Sequence, residues 1–108
     1  METGLRGDDL AYATLDYIRE HPEEWDQRSY WCGSTACFIG RALTIAWDTT
    51  LAGARERHWA GTGKSPTVVA AELLGWTPLQ AAMVSGNGTE DFTTLEHVVK
   101  GILNGTIA

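Results

Sequence analysis

Apolar side chains recur along this chain at intervals of three and four residues, which is the spacing of one face of an α-helix. Near the start of the chain, Ala11, Leu15 and Ile18 form such a face. Asp8 is the predicted cap, and a proline two residues after Glu20 stops the helix, because the residue before a proline avoids helical backbone angles. The pattern therefore predicts a first helix from about Asp8 to Glu20.

A second helix is predicted from a cap at Ser34 or Thr35 to about Leu51, with Gly53 as its exit. More than half of its circumference is apolar, and the residues are Phe38, Ile39, Ala42, Leu43, Ala46 and Trp47. A helix that is apolar on most sides packs in the centre of a bundle. We expect this helix to be the central one.

Two shorter helices are predicted next. Ser65 followed by a proline opens a third helix, and Gly75 closes it. Thr77 and Gln80 have the spacing of a capping box, so a fourth helix should begin there and end near Gly86, before a turn at residues 87–88.

The last helix is predicted to begin at a second capping box, Thr93 to Glu96, and to stop at Asn104-Gly105. Residues 54–65 are interpreted as an exposed loop, because they combine glycines with three of the eight lysines and arginines. No segment sustains the two-residue alternation of a strand. We therefore expect an all-α, compact bundle of about five helices that forms a single domain over residues 1–108.

Composition narrows the function classes. With 108 residues, of which 44% are hydrophobic, the chain has the size and makeup of one folded domain. Fourteen acidic and eight basic residues give a net charge of −6, which argues against a nucleic-acid partner. No apolar run is long enough to span a membrane, and no secretory signal is recognisable. Two cysteines are too few for a disulfide framework. We expect a cytoplasmic protein.

The segment around Cys32 offers a first catalytic hypothesis. Cys32 is placed just before the predicted second helix, where the helix dipole favours a thiolate, and Gln27 lies five residues upstream. This arrangement resembles papain-like and bacteriocin-processing cysteine peptidases. The resemblance implies Cys32 as nucleophile and Gln27 as oxyanion donor. Those enzymes carry their histidine on a strand of a later β-rich half, which this chain lacks, so His58 or His97 could be the base only in an unusual geometry. The favoured interpretation is packing: a tight turn at a glycine, with both cysteines acting as small hydrophobes.

A zinc site is a second chemical hypothesis. Cys32 and Cys37, joined by His21 or His58, supply the sulfur and nitrogen ligands that zinc prefers. The spacing of the two cysteines fits poorly, and Cys37 falls on the polar stripe of its helix beside Arg41. We expect no metal and no cofactor.

A helix-turn-helix motif is a third hypothesis. Ala71, Gly75, Ala81 and Val84 have the spacing of small residues at such a corner. Residues 76–89 contain no lysine or arginine, however, so the second helix lacks charge for phosphate contacts. A simple packing corner is favoured, and a DNA-binding regulator stays an alternative.

The strongest surface signal is acidic. Carboxylates cluster in and after the first helix, and the interaction residues we expect among them are Asp16, Glu20, Glu23 and Glu24. Such a face attracts a basic partner. Two tryptophans are candidate anchors for a protein partner: Trp59 in the predicted loop and Trp76 at the interhelical corner.

Three motifs together resemble a group of small uncharacterised proteins of actinobacteria and their bacteriophages. They are His21-Pro22-Glu23, the segment from Cys32 to Gly40, and Leu73-Leu74-Gly75. In that group the middle motif reads Cys-Gly-Thr-x-Ala-Cys-x-Ala-Gly, and this chain has Ser34 and Ile39 at two of its positions. The resemblance implies a phage origin and no particular reaction. We therefore expect a non-enzymatic accessory protein that binds a host protein through an acidic, Trp-bearing surface.

Overall fold

Helices make up most of the computed structural model, which describes residues 4–27, 30–61, 63–85 and 91–106. In chain order the helices are α1 (Gly7–Glu20), α2 (Phe38–Trp47), α3 (Leu51–Gly61), α4 (Pro66–Leu74), α5 (Pro78–Met83) and α6 (Phe92–Leu103). A 3-10 turn (Pro22–Glu24) and a hairpin of two short strands, β1 (Trp31–Cys32) and β2 (Thr35–Ala36), separate α1 from α2. The prediction of an all-α bundle is confirmed. Among the described helices, none is long and apolar enough to cross a bilayer.

The centre of the bundle is α2, as its apolar circumference predicts. Every residue of α2 except Ile45 is buried. It packs against α1 on one side and against α3 and α4 on others. Phe38, Ile39 and Leu43 are fully buried, so this helix supplies the largest side chains of the core.

The predicted start and end of this helix are wrong. Ser34 and Thr35 belong to the hairpin, where the Thr35 hydroxyl donates to the Cys32 carbonyl oxygen at 2.9 Å instead of capping a helix. Gly33, at φ +60°, makes the tight turn between the strands. Strands of two residues are too short to leave an alternating pattern in the sequence. The far end comes early as well, because Asp48 takes a left-handed conformation (φ 50°) and closes the helix.

The predicted loop at residues 54–65 is also wrong, since α3 occupies most of it. This helix buries only Ala54 and His58, four residues apart, and exposes almost everything else. A helix with one narrow buried stripe gives a weak periodic signal in the sequence. The charged residues of α3 give this segment a composition that is typical of a loop. The Thr50 hydroxyl accepts a hydrogen bond from the Gly53 amide at 3.0 Å, which supports the first turn.

The caps of α4 and α5 follow the sequence closely. The Ser65 hydroxyl accepts from the amide of the third helical residue of α4, and Gly75 ends that helix at φ 73°. Thr77 and Gln80 form the predicted capping box, with reciprocal hydrogen bonds of 3.1 and 2.9 Å. The described part of α5 ends at Met83, and the predicted stop at Gly86 and the turn at 87–88 lie outside the described residues.

Two other predicted caps are displaced. Asp8 lies inside the first turn of α1, where it faces the positive end of the helix dipole, and Arg6 occupies the cap position. In α6 the cap is Asp91, whose carboxylate accepts from the Thr94 amide at 3.2 Å, so the predicted box at Thr93 is wrong by two positions. The predicted stop at Asn104 is confirmed.

The approach of α2 to the segment before the hairpin depends on Gly40. A Cβ atom at this position would lie 1.9 Å from the Tyr30 carbonyl oxygen and 3.1 Å from the Trp31 indole nitrogen. That indole nitrogen donates to the Gly40 carbonyl oxygen at 3.1 Å, which fixes Trp31 against α2. The site described below therefore depends on a position without a side chain.

We predict that Gly40→Ala lowers the free energy of unfolding by about 3 kcal/mol, because backbone atoms must move to admit the methyl group. Gly61→Ala is the matched control, since a Cβ at Gly61 meets nothing within 4 Å. The control should be neutral or stabilise by up to about 1 kcal/mol, as alanine favours helix. Urea denaturation of both variants measures this. Equal stabilities would contradict the close packing at Gly40.

Candidate functional site

Most of the predicted acidic face is exposed. Asp16, Glu20 and Glu23 are exposed, and Glu24 is partly buried. Asp16 pairs with Arg19 at 2.7 Å, and Arg19 also pairs with Glu96 of α6. Part of the negative charge is thus balanced by a basic residue of the same surface.

Glu24 belongs to a group that ties the 3-10 turn to the bundle. Its Oε1 atom accepts a hydrogen bond from the Tyr17 hydroxyl at 2.8 Å and lies 3.3 Å from the Arg41 guanidinium. Arg41 is only 5% exposed and lies 4.3 Å from the centre of the Tyr17 ring. Burial, and then the hydrogen bond to Glu24, raise the pKa of Tyr17. Arg41 therefore packs inward and does not form the polar stripe that the sequence predicts.

The two candidate tryptophans differ in exposure. Trp76 is half-buried and stacks on Phe38, with ring centres 5.9 Å apart and planes 4° from parallel. Trp59, in contrast, is 69% exposed on the outer side of α3. Trp59 is thus the tryptophan that offers contact area to another molecule.

An open groove of about 670 Å³ lies beside Trp59. We call it the Trp59 groove, and it is lined by Trp31, Gly33, Leu51, Ala52, Arg55, Glu56, Trp59 and Ala60. One wall of the groove is formed by α3. Its lining residues fall into two rows, and residues within a row are four positions apart, so their side chains lie above one another on the helix. The hairpin supplies the other wall through Trp31. The lining is therefore mostly apolar, with one guanidinium and one carboxylate.

His58 packs against two aromatic residues of the groove. It is 2% exposed, and its ring centre lies 5.8 Å from that of Trp31 and 4.7 Å from that of Trp59. Its Nε2 atom lies 2.6 Å from the Lys64 carbonyl oxygen, so this nitrogen carries hydrogen and donates. His58 thereby ties α3 to the segment before α4.

The basic residues near the groove differ in their contacts. Lys64 pairs with Glu72 at 2.7 Å, and the Arg57 guanidinium lies 4.5 Å from the Trp47 ring centre. Arg55 is exposed in the groove, and none of the described residues forms an ion pair or hydrogen bond with it. Its donors are therefore open to an incoming acceptor.

The structure separates the two cysteines. Cys32 is exposed in β1, five residues before Cys37, so the prediction that Cys32 directly precedes the helix is wrong. Cys37 holds the cap position of α2 instead and is fully buried, which corrects its predicted place on a polar stripe. Burial disfavours the thiolate and raises the pKa of Cys37 to about 11.

The Gln27 side chain has a structural role. Its Oε1 atom accepts from the Phe38 amide at 2.8 Å and from the Trp25 indole at 2.9 Å. Its Nε2 atom donates to the Val84 carbonyl oxygen at 2.8 Å, and the residue is 3% exposed. The side chain thus caps α2 and joins it to the end of α5, and both ends of the amide are engaged.

The cysteines and histidines of the zinc hypothesis do not meet. Within the described residues, the one group of three ligating side chains is His21, Glu23 and Glu24, and it contains no cysteine. His97 is exposed on α6. Of the four residues proposed from the sequence, only His21 lies in a metal-ligating group.

The residues of the helix-turn-helix hypothesis form a packing corner. Ala71, Ala81 and Val84 are buried between α4 and α5, and Gly75 turns the chain between them. The second helix has six residues, and described residues 76–85 contain no lysine or arginine. The sequence correctly predicts a corner between two helices, and the residues of this corner pack in the core.

No family model matches this chain, and no curated protein or solved structure is significantly similar to it.

We predict that the two thiols react very differently with iodoacetamide. Cys32 should be alkylated in the folded protein because it is exposed, and Cys37 should stay unmodified until the protein unfolds. Mass spectrometry of peptides after timed labelling, with and without urea, measures both rates. Equal native labelling would contradict the burial of Cys37. Labelling of Cys32 that stays fast at a pH of about 6, well below the ordinary thiol pKa of about 8.5, would instead support the peptidase hypothesis.

Proposed function

We propose that this protein is a small non-enzymatic accessory protein that binds another protein, and that the Trp59 groove is its anchoring contact. The observation that carries the proposal is that Trp59, 69% exposed, stands at the edge of a groove lined by Trp31 and Leu51. Large indole side chains placed next to a pocket are typical of binding hot spots. The resemblance to phage and actinobacterial proteins favours a host protein in the cytoplasm as the partner.

Burial of Trp59 would supply a substantial part of the binding energy. Burying most of an exposed indole removes about 100 to 150 Å² of apolar surface from water, which is worth about 3 kcal/mol. The ring contact with buried His58 limits the movement of Trp59, so less side-chain entropy is lost on binding. Further contacts must supply the rest, because association itself costs about 4 to 15 kcal/mol.

The chemistry of the groove defines the contact on the partner. An apolar side chain fits between Trp31 and the α3 wall, and a carbonyl or carboxylate oxygen beside it would accept from Arg55. A charged hydrogen bond that excludes water adds about 1.5 to 3 kcal/mol. We therefore propose a partner segment with an apolar side chain and a neighbouring acceptor oxygen.

The acidic face contributes to partner binding over a longer range than the groove does. Glu20 and Glu23 are exposed, and the whole chain carries a net charge of −6. This charge attracts a basic protein and raises the rate of association more than the final affinity. The proposed partner thus has a basic surface around the segment that enters the groove.

The role of Gln27 supports a binding protein over a cysteine peptidase. The Gln27 amide is engaged by α2 and α5. The residue that the peptidase resemblance would use as oxyanion donor is thus used in packing. Cys32 stays on the surface without a described base in contact with it.

We predict that Trp59→Ala weakens partner binding by at least about 30-fold, which equals about 2 kcal/mol. Proteins captured from host lysate by the immobilised parent chain should be lost with Trp59→Ala. Leu79→Ala is the matched control, because Leu79 is 70% exposed on α5 and outside the groove. Titration of the purified partner against all three proteins gives the affinities. Equal capture by the parent and Trp59→Ala, or an equal loss with Leu79→Ala, would contradict the proposal.

A further inference from the structure

A second site lies at the corner between α1 and the 3-10 turn. We propose that His21, Glu23 and Glu24 bind a divalent transition-metal ion of the zinc class. The His21 Nδ1 atom lies 3.5 Å from Oε2 of Glu24 and 3.7 Å from Oε1 of Glu23. All three ligand atoms lie within 4.8 Å of one another.

The distances from the His21 nitrogen to the two carboxylate oxygens match metal coordination better than hydrogen bonding. Bonds of about 2.1 Å in tetrahedral geometry place neighbouring ligand atoms about 3.4 Å apart. A charged hydrogen bond between imidazole and carboxylate would instead bring nitrogen and oxygen to about 2.8 Å. His21 lies at the first kind of distance from both carboxylates. The nitrogen is therefore spaced from each of the two oxygens as ligands of one ion are.

The Glu24 carboxylate is held with one oxygen directed to that space. Its Oε1 atom is engaged by the Tyr17 hydroxyl and the Arg41 guanidinium, while Oε2 faces His21. Hydrogen bonds from outside the ligand set are what orient ligating carboxylates in metal sites. Arg41, at 6% side-chain exposure, is fixed in position, and it contacts the oxygen that would not ligate.

The imidazole is oriented as well. The His21 ring packs against the Tyr17 ring with centres 4.4 Å apart. The His21 amide donates to the Tyr17 carbonyl oxygen, and the Glu24 amide donates to the His21 carbonyl oxygen, each at 2.9 Å. The backbone that carries all three ligands is thus held by hydrogen bonds. Binding would cost little conformational entropy beyond the ordering of Glu23, which is 68% exposed.

The ligand set indicates the class of ion. One imidazole nitrogen and two carboxylate oxygens suit zinc, whereas magnesium and calcium prefer oxygen ligands alone. Three protein ligands leave a fourth position for water or for a group of a partner. This site is separate from the Trp59 groove, and none of its three residues lines that groove.

The test is calorimetric titration of zinc chloride into metal-free protein carrying Cys32→Ser, which removes the exposed thiol as a competing ligand. We expect one equivalent to bind, at least about tenfold more tightly than magnesium or calcium ions. His21→Ala and Glu23→Gln should each weaken binding by at least about tenfold. Both side chains are at the surface, so these variants should keep the far-ultraviolet spectrum of the parent.

Two further measurements distinguish this site from general surface binding. The His21 ring nitrogen signals should shift on zinc addition in nitrogen-15 spectra, while those of buried His58 stay unchanged. Glu72→Gln, an exposed carboxylate on α4, is the matched control and should bind zinc as the parent does. No saturable binding, full binding by His21→Ala, or shifts confined to His97 would overturn the proposal.

Discussion

One buried amide connects parts of the chain that are far apart in sequence. Gln27 accepts from the first amide of α2 and donates to a carbonyl oxygen at the end of α5, so it joins residues 11 and 57 positions away. Its neighbour Asp26 donates through its amide to the Ala36 carbonyl oxygen, which fixes the same segment beside β2. The hairpin that this segment supports presents Trp31 to the groove. The start of the central helix thus depends on the Gln27 side chain, and the hairpin wall of the site is held by the backbone of the same segment.

The sequence predicts the elements whose signals are local, and it fails where the contacts are distant. The capping box of Thr77 and the proline start of α4 follow from adjacent residues, and both are confirmed. The true start of α2 depends on Gln27, eleven residues upstream, and no spacing rule shows that contact. The loop prediction for α3 is wrong because a helix with one narrow buried stripe has the composition of a loop.

The candidate site was predictable only in part for the same reason. Exposure of Trp59 follows from its polar neighbours, and the structure confirms that exposure. The partners that form the groove, above all Trp31, come from a hairpin that leaves no sequence pattern. The acidic residues were identified, yet the pairing of Glu24 with buried Arg41 was not, because an arginine in an apolar helix suggests a solvent-facing stripe. Two candidate surfaces result: an aromatic groove that we propose for a protein partner and a carboxylate–imidazole corner that we propose for a metal ion.

The most direct test of this account is the stability of Gln27→Ala, because a structural role and a catalytic role for Gln27 predict different results. We expect urea denaturation to show a loss of about 2 to 3 kcal/mol, since two buried hydrogen bonds and one partly buried one disappear. Native alkylation of Cys37 should also become detectable. Gln80→Ala, which removes the same side chain from an accessible capping box, should cost no more than about 1 kcal/mol. A Gln27→Ala protein within about 0.5 kcal/mol of the parent would contradict the account.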